Sequence, residues 1–411
     1  MKKVLKWAGA TLGTLVIAAG LWLAYVALSP IPSYPVPATS FHVDVTPERI
    51  ANGKRHTELL CAGCHLDPET GALTGRRMPD LPTQFGESWS RNITKHPVKG
   101  IGSWTDGEIA YLLRTGVNRA GGYTPPWMVK LPNLSDEDLR DVIAFLRSDD
   151  PLVQARDVDN HESRASLLTK VLCRLIWVPF PYPSQPVVAS PPSDKVAWGR
   201  YLVTSRYLCF GCHSADFKTN DELYPEKSKG YLGGGNAMPD ATGKIVYTAN
   251  ITTDPETGIG RWTEEQFHRA VVDGIRPDNR ALRYPMAPLR ALTGEEVSAM
   301  FAYLHTVPPV GNKVAAPEPY TVPSGDRGRQ AYYAYGCNAC HGDSGRGRFD
   351  LIKGLANHPT DDELIAYIKH PERTKPGIEM PTWDGVIAEG EYAPLATYVR
   401  SLAARGGPGT R

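Results

Sequence analysis

The chain has 411 residues, with 45 Lys and Arg against 44 Asp and Glu, a formal charge of +1, and 41% hydrophobic residues. Its near-neutral balance excludes the strongly basic surface of a nucleic-acid binder, and its length suffices for two to four domains. Of its seven cysteines, six fall in one recurring pattern, which leaves no pairs for a disulfide framework.

In chain order, Lys2, Lys3 and Lys6 precede an uncharged run of 23 residues, Trp7–Ser29. This is long enough to cross the hydrocarbon core as a helix. Ala27-Leu28-Ser29 offers a small-residue cleavage site, but Pro30 would follow the cut. The expectation is therefore an uncleaved anchor over residues 1–29, with the lysines on the cytoplasmic side and the rest of the chain outside. Residues 30–44 begin with prolines at 30, 32, 35 and 37, and are expected to form an extended, stiff tether that lifts the remainder off the membrane.

Three copies of Cys-x-x-Cys-His follow: Cys61-Ala62-Gly63-Cys64-His65, Cys209-Phe210-Gly211-Cys212-His213 and Cys337-Asn338-Ala339-Cys340-His341. This is the attachment signature of c-type haem. Two thiols about a helical turn apart add to two vinyl groups of one porphyrin, and the adjacent imidazole becomes an axial ligand of the iron. Zinc is the competing reading. A closed zinc site needs four ligands, usually two pairs brought together, whereas each pair here stands more than a hundred residues from the next. The sequence therefore calls for three covalently bound haem c groups. The seventh cysteine, Cys173, is expected to be a buried, inert thiol.

Around the motifs the chain divides into modules at 45–150, 193–307 and 324–403. They are separated by a linker with an amphipathic helix at 151–192 and a Pro-rich linker at 308–323, and a flexible tail covers 404–411. The first two modules repeat: Asn92-Ile93-Thr94 and Gly100-Ile101-Gly102-Ser103-Trp104-Thr105 in one, Asn250-Ile251-Thr252 and Gly258-Ile259-Gly260-Arg261-Trp262-Thr263 in the other. Thr105 with Glu108 and Thr263 with Gln266 form capping boxes at helix starts. A last helix follows in each, from Asp136 to Arg147 and from Gly294 to His305, started by Ser135 with Asp138 and Thr293 with Glu296. Leu139, Val142, Ile143 and Leu146 recur at helical spacing, as do Val297, Met300, Phe301 and Leu304. A helix upstream of each motif carries a glycine (Gly53, Gly199, Gly328) that would let first and last helices cross closely. The fold class expected is all-α, with three tandem domains after a transmembrane helix.

An electron carrier also needs the sixth position of each iron filled. Met128 and Met286 each lie 36 residues after the first residue of the repeated Asn-Ile-Thr, in Pro-flanked loops before the last helix. Met380 sits likewise in Pro376-Gly377-Ile378-Glu379-Met380-Pro381. Met78 and Met238 are competitors, each preceding Pro-Asp. Bis-His ligation through His96, His268 or His358 is a further alternative, weakened because these residues do not share a module position. His/Met ligation implies fairly high potentials. Trp104 and Trp262 are candidates to donate an indole N–H to a haem propionate, with simple packing as the alternative.

The third module resembles a monohaem class I cytochrome c in its Cys337-to-His341 start, the following Gly342-Asp343-Ser344-Gly345 and the Met380 loop. The first two, over most of 45–307, resemble the cytochrome c subunits of membrane-bound alcohol and gluconate dehydrogenases, which carry three haem c groups and a similar Asn-Ile-Thr…Gly-Ile-Gly-x-Trp stretch. By this resemblance His65, His213 and His341 are proximal ligands and Met128, Met286 and Met380 distal ones. The chain departs from the family in its long N-terminal anchor, where a cleaved signal is usual, and in a longer insertion between the first two modules.

That insertion contains an apolar helical stripe at 167, 168, 171, 172, 175 and 176, with Lys170 and Arg174 elsewhere. We read it first as a strut packed across the haem modules. The membrane surface and a partner subunit are the alternatives. The functional expectation is a single-pass, outward-facing electron carrier of the bacterial cytoplasmic membrane, its haem domains periplasmic. It would pass single electrons between a dehydrogenase or quinol-linked donor and a downstream cytochrome or oxidase, either as a shuttle or as the electron-accepting subunit of an alcohol, sugar or aldehyde dehydrogenase complex. A haem peroxidase is the rival, and it would need one open iron position.

Overall fold

Helix boundaries follow their capping residues closely. In the computed structural model, which describes residues 2–78, 80–240, 243–315, 322–347, 349–374 and 378–405 (backbone alone for 2–6, 8 and 405), Thr105 and Thr263 form complete capping boxes with Glu108 and Gln266. The helices they start are Asp106–Thr115 and Glu264–His268, the latter continuing as a π-helical turn, Arg269–Asp273. Ser135 caps Asp136–Arg147 through the Asp138 amide, and Thr293 with Glu296 boxes Gly294–Leu304. The protein is mostly helical. Among the described residues, strands occur as two short antiparallel ribbons, Gly86–Glu87 with Arg164–Ala165 and Ala237–Pro239 with Ile245–Tyr247.

One packing arrangement recurs three times. An opening helix carries the glycine and a closing helix crosses it: Pro47–Leu60 under Asp136–Arg147, Lys195–Tyr201 under Gly294–Leu304, and Arg327–Ala334 under Glu389–Arg405. A Cβ added at Gly53 would stand 1.8 Å from the Asp141 carbonyl oxygen, at Gly199 1.9 Å from that of Ala299, and at Gly328 2.0 Å from that of Pro394. Only hydrogen fits there, so the close crossing expected from sequence is present each time. From crossing glycine to first thiol the second module is two residues longer than the first (Gly199 to Cys209 against Gly53 to Cys61). It takes up the excess with a π turn, Leu202–Arg206, and with Leu208 at φ 53°. π geometry of this kind occurs mostly as single turns inside α-helices, frequently at functional sites.

The chain forms two compact units. One comprises Met1–Thr57 with Cys61–Val188, the other Glu58–Leu60 with Ala189–Arg411. In the first, the N-terminal helix Lys2–Leu28 includes a 20-residue stretch, Gly9–Leu28, of mean hydropathy 1.9, long and apolar enough to cross a membrane. The Pro-rich stretch after it is extended but does not act as a stand-off spacer. Ser33 bridges to Gly122, the Tyr34 amide donates to the Gly121 carbonyl, and Ile31, Tyr34 and Val36 pack on Val117, Tyr123 and Cys173. Proline fixes the stiffness of such a segment, not what it lies on. The linker 151–192 also wraps this unit: the Asn160 side chain accepts from the Asn92 amide, and the Val187 carbonyl from the Asp136 amide.

In the second unit, one core gathers Trp198, Leu202, Phe210, Val297, Met300 and Leu304 around the second motif. A second core holds Tyr332, Leu364, Trp383, Leu395 and Val399 around the third, and Ile275, from the middle module, is part of it. The Thr382 amide donates to the Asp273 carbonyl. The third module is thus packed against the second, whereas the Pro-rich linker between them left the arrangement open in sequence. The stretch 316–321 of that linker, Pro376-Gly377 of the Met380 loop and the tail from 406 onward lie outside the described residues. Ala404 and Arg405, expected in the tail, continue the closing helix.

Candidate haem sites

Each Cys-x-x-Cys-His forms a short helical turn: Ala62–His65, Cys209–His213 and Asn338–His341. The imidazole is oriented the same way in all three. Nδ1 of His65 lies 2.7 Å from the Arg91 carbonyl oxygen, that of His213 2.7 Å from Ala249 O, and that of His341 2.9 Å from Phe349 O. A carbonyl can only accept, so Nδ1 carries the proton and Nε2 is left with its lone pair. This is how metal-binding histidines are ordinarily fixed in tautomer and orientation. Desolvation holds all three imidazoles below the usual histidine range, the hydrogen bond to the carbonyl opposing it in part. They are therefore neutral, as a metal ligand must be.

The carbonyls that do this are themselves held. Arg91 and Ala249 directly precede the repeated Asn-Ile-Thr segments. Asn92 Oδ1 accepts from the amide and hydroxyl of Thr94, and its Nδ2 donates to the Arg156 and Val158 carbonyls. Asn250 repeats this with Thr252, Thr257 Oγ1 and the Val310 carbonyl. The Asn-x-Thr repeat is thus a loop clamp that presents a carbonyl to the histidine. On the other side, the amides of Gly75, Gly234 and Gly347 donate to the carbonyls of His65, His213 and His341. The sequence carried the repeat but not this role, because the partners are 26 and 36 residues from their histidines.

The residues fit haem better than zinc. Burial pushes the Cys61, Cys209 and Cys337 thiols up to about 12, with the neighbouring thiol adding to the shift. Among the described residues, His56, Asp138 and Asp141 converge as a possible ligand cluster, while the two thiols and imidazole of no motif do. A thiol pair that closes no common cluster with its histidine suits a planar group held at its edge and ligated at its centre. The seventh thiol, Cys173, is fully buried and raised to about 11 by burial.

The candidate sixth ligands lie in loops. The Met128 amide donates to the Pro125 carbonyl and that of Met286 to the Arg283 carbonyl. Met380 rests against the third core, and its carbonyl accepts from Arg290 of the middle module at 2.5 Å. Arg290 also donates to the Ile378 carbonyl at 2.8 Å and to Thr382 Oγ1 at 3.1 Å. Nothing near Arg290 in sequence announces this latch. Met128, Met286 and Met380 are half-buried, unlike Met300, which is core filler at 2% exposure. Met78 and Met238 lie in backbone-paired segments: the Met78 amide donates to the Ser88 carbonyl, and Met238 pairs with Val246. Nδ1 of His96 accepts from the amides of Val98 and Lys99, and His358 stacks on Tyr367. Trp104 is half-buried, with Arg119 5.8 Å from its ring centroid, and Trp262 packs on the second core.

Residues 50–149 match the family model described as cytochrome c, and residues 323–399 match that of subunit III of cbb3-type cytochrome c oxidase. The chain carries cytochrome c domains. These domains bind haem c covalently and make the chain an electron carrier. It is similar to the cytochrome c subunit of quinone-dependent alcohol dehydrogenase from Gluconobacter oxydans, at 26% identity over 85% of this chain and 77% of the relative. It is also similar to the gluconate 2-dehydrogenase cytochrome c subunit of Pantoea cypripedii, at 26% over 85% and 84%, and to the fructose dehydrogenase cytochrome subunit of Gluconobacter japonicus, at 28% over 74% and 66%.

Proposed function

We propose that the chain is a membrane-anchored trihaem c-type cytochrome, made of three tandem cytochrome c domains near 45–150, 193–307 and 324–403, that accepts electrons from a dehydrogenase subunit or a quinol-linked donor and passes them to a downstream cytochrome or oxidase. The observation that carries this is the threefold recurrence of a thiol pair followed by an imidazole with Nδ1 on a backbone carbonyl and Nε2 free. Cys61 and Cys64, Cys209 and Cys212, and Cys337 and Cys340 are the attachment pairs. His65, His213 and His341 are the proximal ligands and Met128, Met286 and Met380 the distal ones. Trp104 and Trp262 would each donate an indole N–H to a haem propionate.

Haem bound there supplies a one-electron Fe(III)/Fe(II) couple. The protein's part is to hold the ligands. The Asn92 and Asn250 clamps keep the carbonyls that orient His65 and His213, and Arg290 fixes the loop backbone at Met380. The helix Lys2–Leu28 anchors the chain, with its cytochrome domains on the periplasmic side. The relatives named as alcohol, fructose and gluconate dehydrogenase subunits support an electron-donating dehydrogenase partner of that class.

Two measurements test this. A pyridine haemochrome assay on the purified chain should return three equivalents. Purification from native membranes in detergent should bring a dehydrogenase subunit along. Fewer equivalents, or a high-spin ferric centre that turns over peroxide, would overturn the trihaem carrier. For the methionines, Met286→Ala should convert one centre to a carbon-monoxide-binding form and lower its potential, while Met238→Ala should do neither.

A further inference from the structure

The helix Leu167–Leu175 has two faces. Inward, Thr169 and Cys173 are fully buried, with the Thr169 hydroxyl donating to the Phe85 carbonyl at 2.8 Å. Outward, Leu167, Leu168, Leu175, Ile176 and Val178 are exposed, Leu175 and Ile176 by 63% and 66%. Such a cluster on a water-soluble surface calls for a partner. Its neighbour identifies one. Lys170 donates from Nζ to the Ala27 carbonyl at 2.7 Å, and Arg174 to the Pro30 carbonyl at 2.7 Å. Ala27 belongs to the last turn of the apolar N-terminal helix, and Pro30 lies two residues beyond its end.

We propose that Leu167–Val178 is a membrane-surface collar that lies in the outer leaflet where the N-terminal helix emerges, with Leu168, Leu175, Ile176 and Val178 among the acyl chains. This rests on the reading of Lys2–Leu28 as a spanning helix. Lys170 satisfies a carbonyl that the spanning helix leaves without an intrahelical partner in its last turn, and Arg174 holds the Pro30 carbonyl just beyond it, so the two helices meet at one depth. An amphipathic helix in this position buries its apolar face at the boundary of headgroups and acyl chains. The strut expected first from sequence is half of the arrangement: the inner face packs on the first unit, and the outer face is left for lipid.

The collar also fixes what lies above it. Trp177, just past the helix, sits 5.6 Å from Phe85 and 6.0 Å from Trp127 by ring centroids, and Trp127 Nε1 donates to Ser88 at 2.9 Å. Trp127 directly precedes Met128. The first domain's methionine loop is therefore tied to the membrane end of the molecule by an aromatic cluster.

The test uses the full holoprotein in phosphatidylcholine–phosphatidylglycerol vesicles. A single cysteine is introduced at Leu175, at Ile176, at Leu15 in the apolar helix, or at Val98, which is 84% exposed, and labelled with an environment-sensitive fluorophore. Cys173 is buried and the other six thiols are consumed, so the label is selective. Lipids carrying a nitroxide near the headgroup or deep in the chain then quench by depth. At 175 and 176 the shallow nitroxide should quench more than the deep one, at 15 the deep one more, and at 98 neither. Quenching at 15 with none at 175 and 176 overturns the collar and leaves the anchor standing. No quenching at 15 overturns the anchor, and with it the collar placed at the anchor's exit.

Discussion

Replacing Gly199 with alanine tests the arrangement on which the domains are built. The new Cβ would sit 1.9 Å from the Ala299 oxygen, 2.5 Å from its carbon and 2.9 Å from Tyr303 Cβ. The first two are backbone atoms, so the helices themselves must part, by roughly 1 Å, in an interior packed at crystal density. Overpacking of this kind costs about 3 kcal/mol at the upper end of its range. Alanine's better helix propensity returns about 1 kcal/mol. The net loss of about 2 kcal/mol lowers the melting midpoint of a domain of this size by roughly 8 °C. Thermal unfolding of the full chain, followed by Soret and far-ultraviolet circular dichroism, reads this directly. Gly294→Ala is the control, since a Cβ there meets nothing within 4 Å, and it should match or slightly exceed the parent. A Gly199→Ala chain that unfolds with the parent midpoint, or no earlier than Gly294→Ala, would refute the close crossing. Gly53→Ala and Gly328→Ala should behave as Gly199→Ala does.

Arg290→Met removes the guanidinium from the Ile378 and Met380 carbonyls and from Thr382. It should cost about 3 kcal/mol and weaken the sulfur–iron charge-transfer band of one centre, and an unchanged near-infrared spectrum would count against the latch. Asn250→Ala breaks four hydrogen bonds at a side chain buried to 3% exposure. It should cost about 2 kcal/mol or more and shift the potential of the second centre, and stability without a shift would mean that the clamp does not reach His213. Cys173, raised to about 11, should resist iodoacetamide at neutral pH in the native protein. After unfolding it should be the single thiol alkylated, on a chain whose mass exceeds the polypeptide by three haems; a second alkylated thiol would mean an incomplete attachment site.

Local chemistry was legible in the sequence. The Thr105, Thr263 and Thr293 boxes and the motif turns each depend on residues a few positions apart, and the crossing glycines showed as one residue recurring upstream of every motif. The Thr360–Glu363 box of the third module carries the same signature and could have been read as well. What escaped is what distance in the chain hides. Arg91, Ala249 and Phe349 act through backbone oxygens, which any side chain could accompany. Arg290 reaches the Met380 loop across about ninety residues. The tether misled because its prolines report stiffness, while its docking depends on Gly121 and Gly122. The helix at 167–175 showed its stripe in sequence, but the choice among strut, membrane and partner needed the positions of Lys170 and Arg174.

The insertion of Ile275 into the third core, with Arg290 and Asp273 holding the loop at 378–382, bears on kinetics. Cofactors borne by separately tumbling beads exchange charge only as often as the beads collide, and a thicker medium slows them. A pair cast in one block has no such encounter step. Electron passage between the second and third centres should therefore be indifferent to glycerol or sucrose, leaving any viscosity dependence to the external partners.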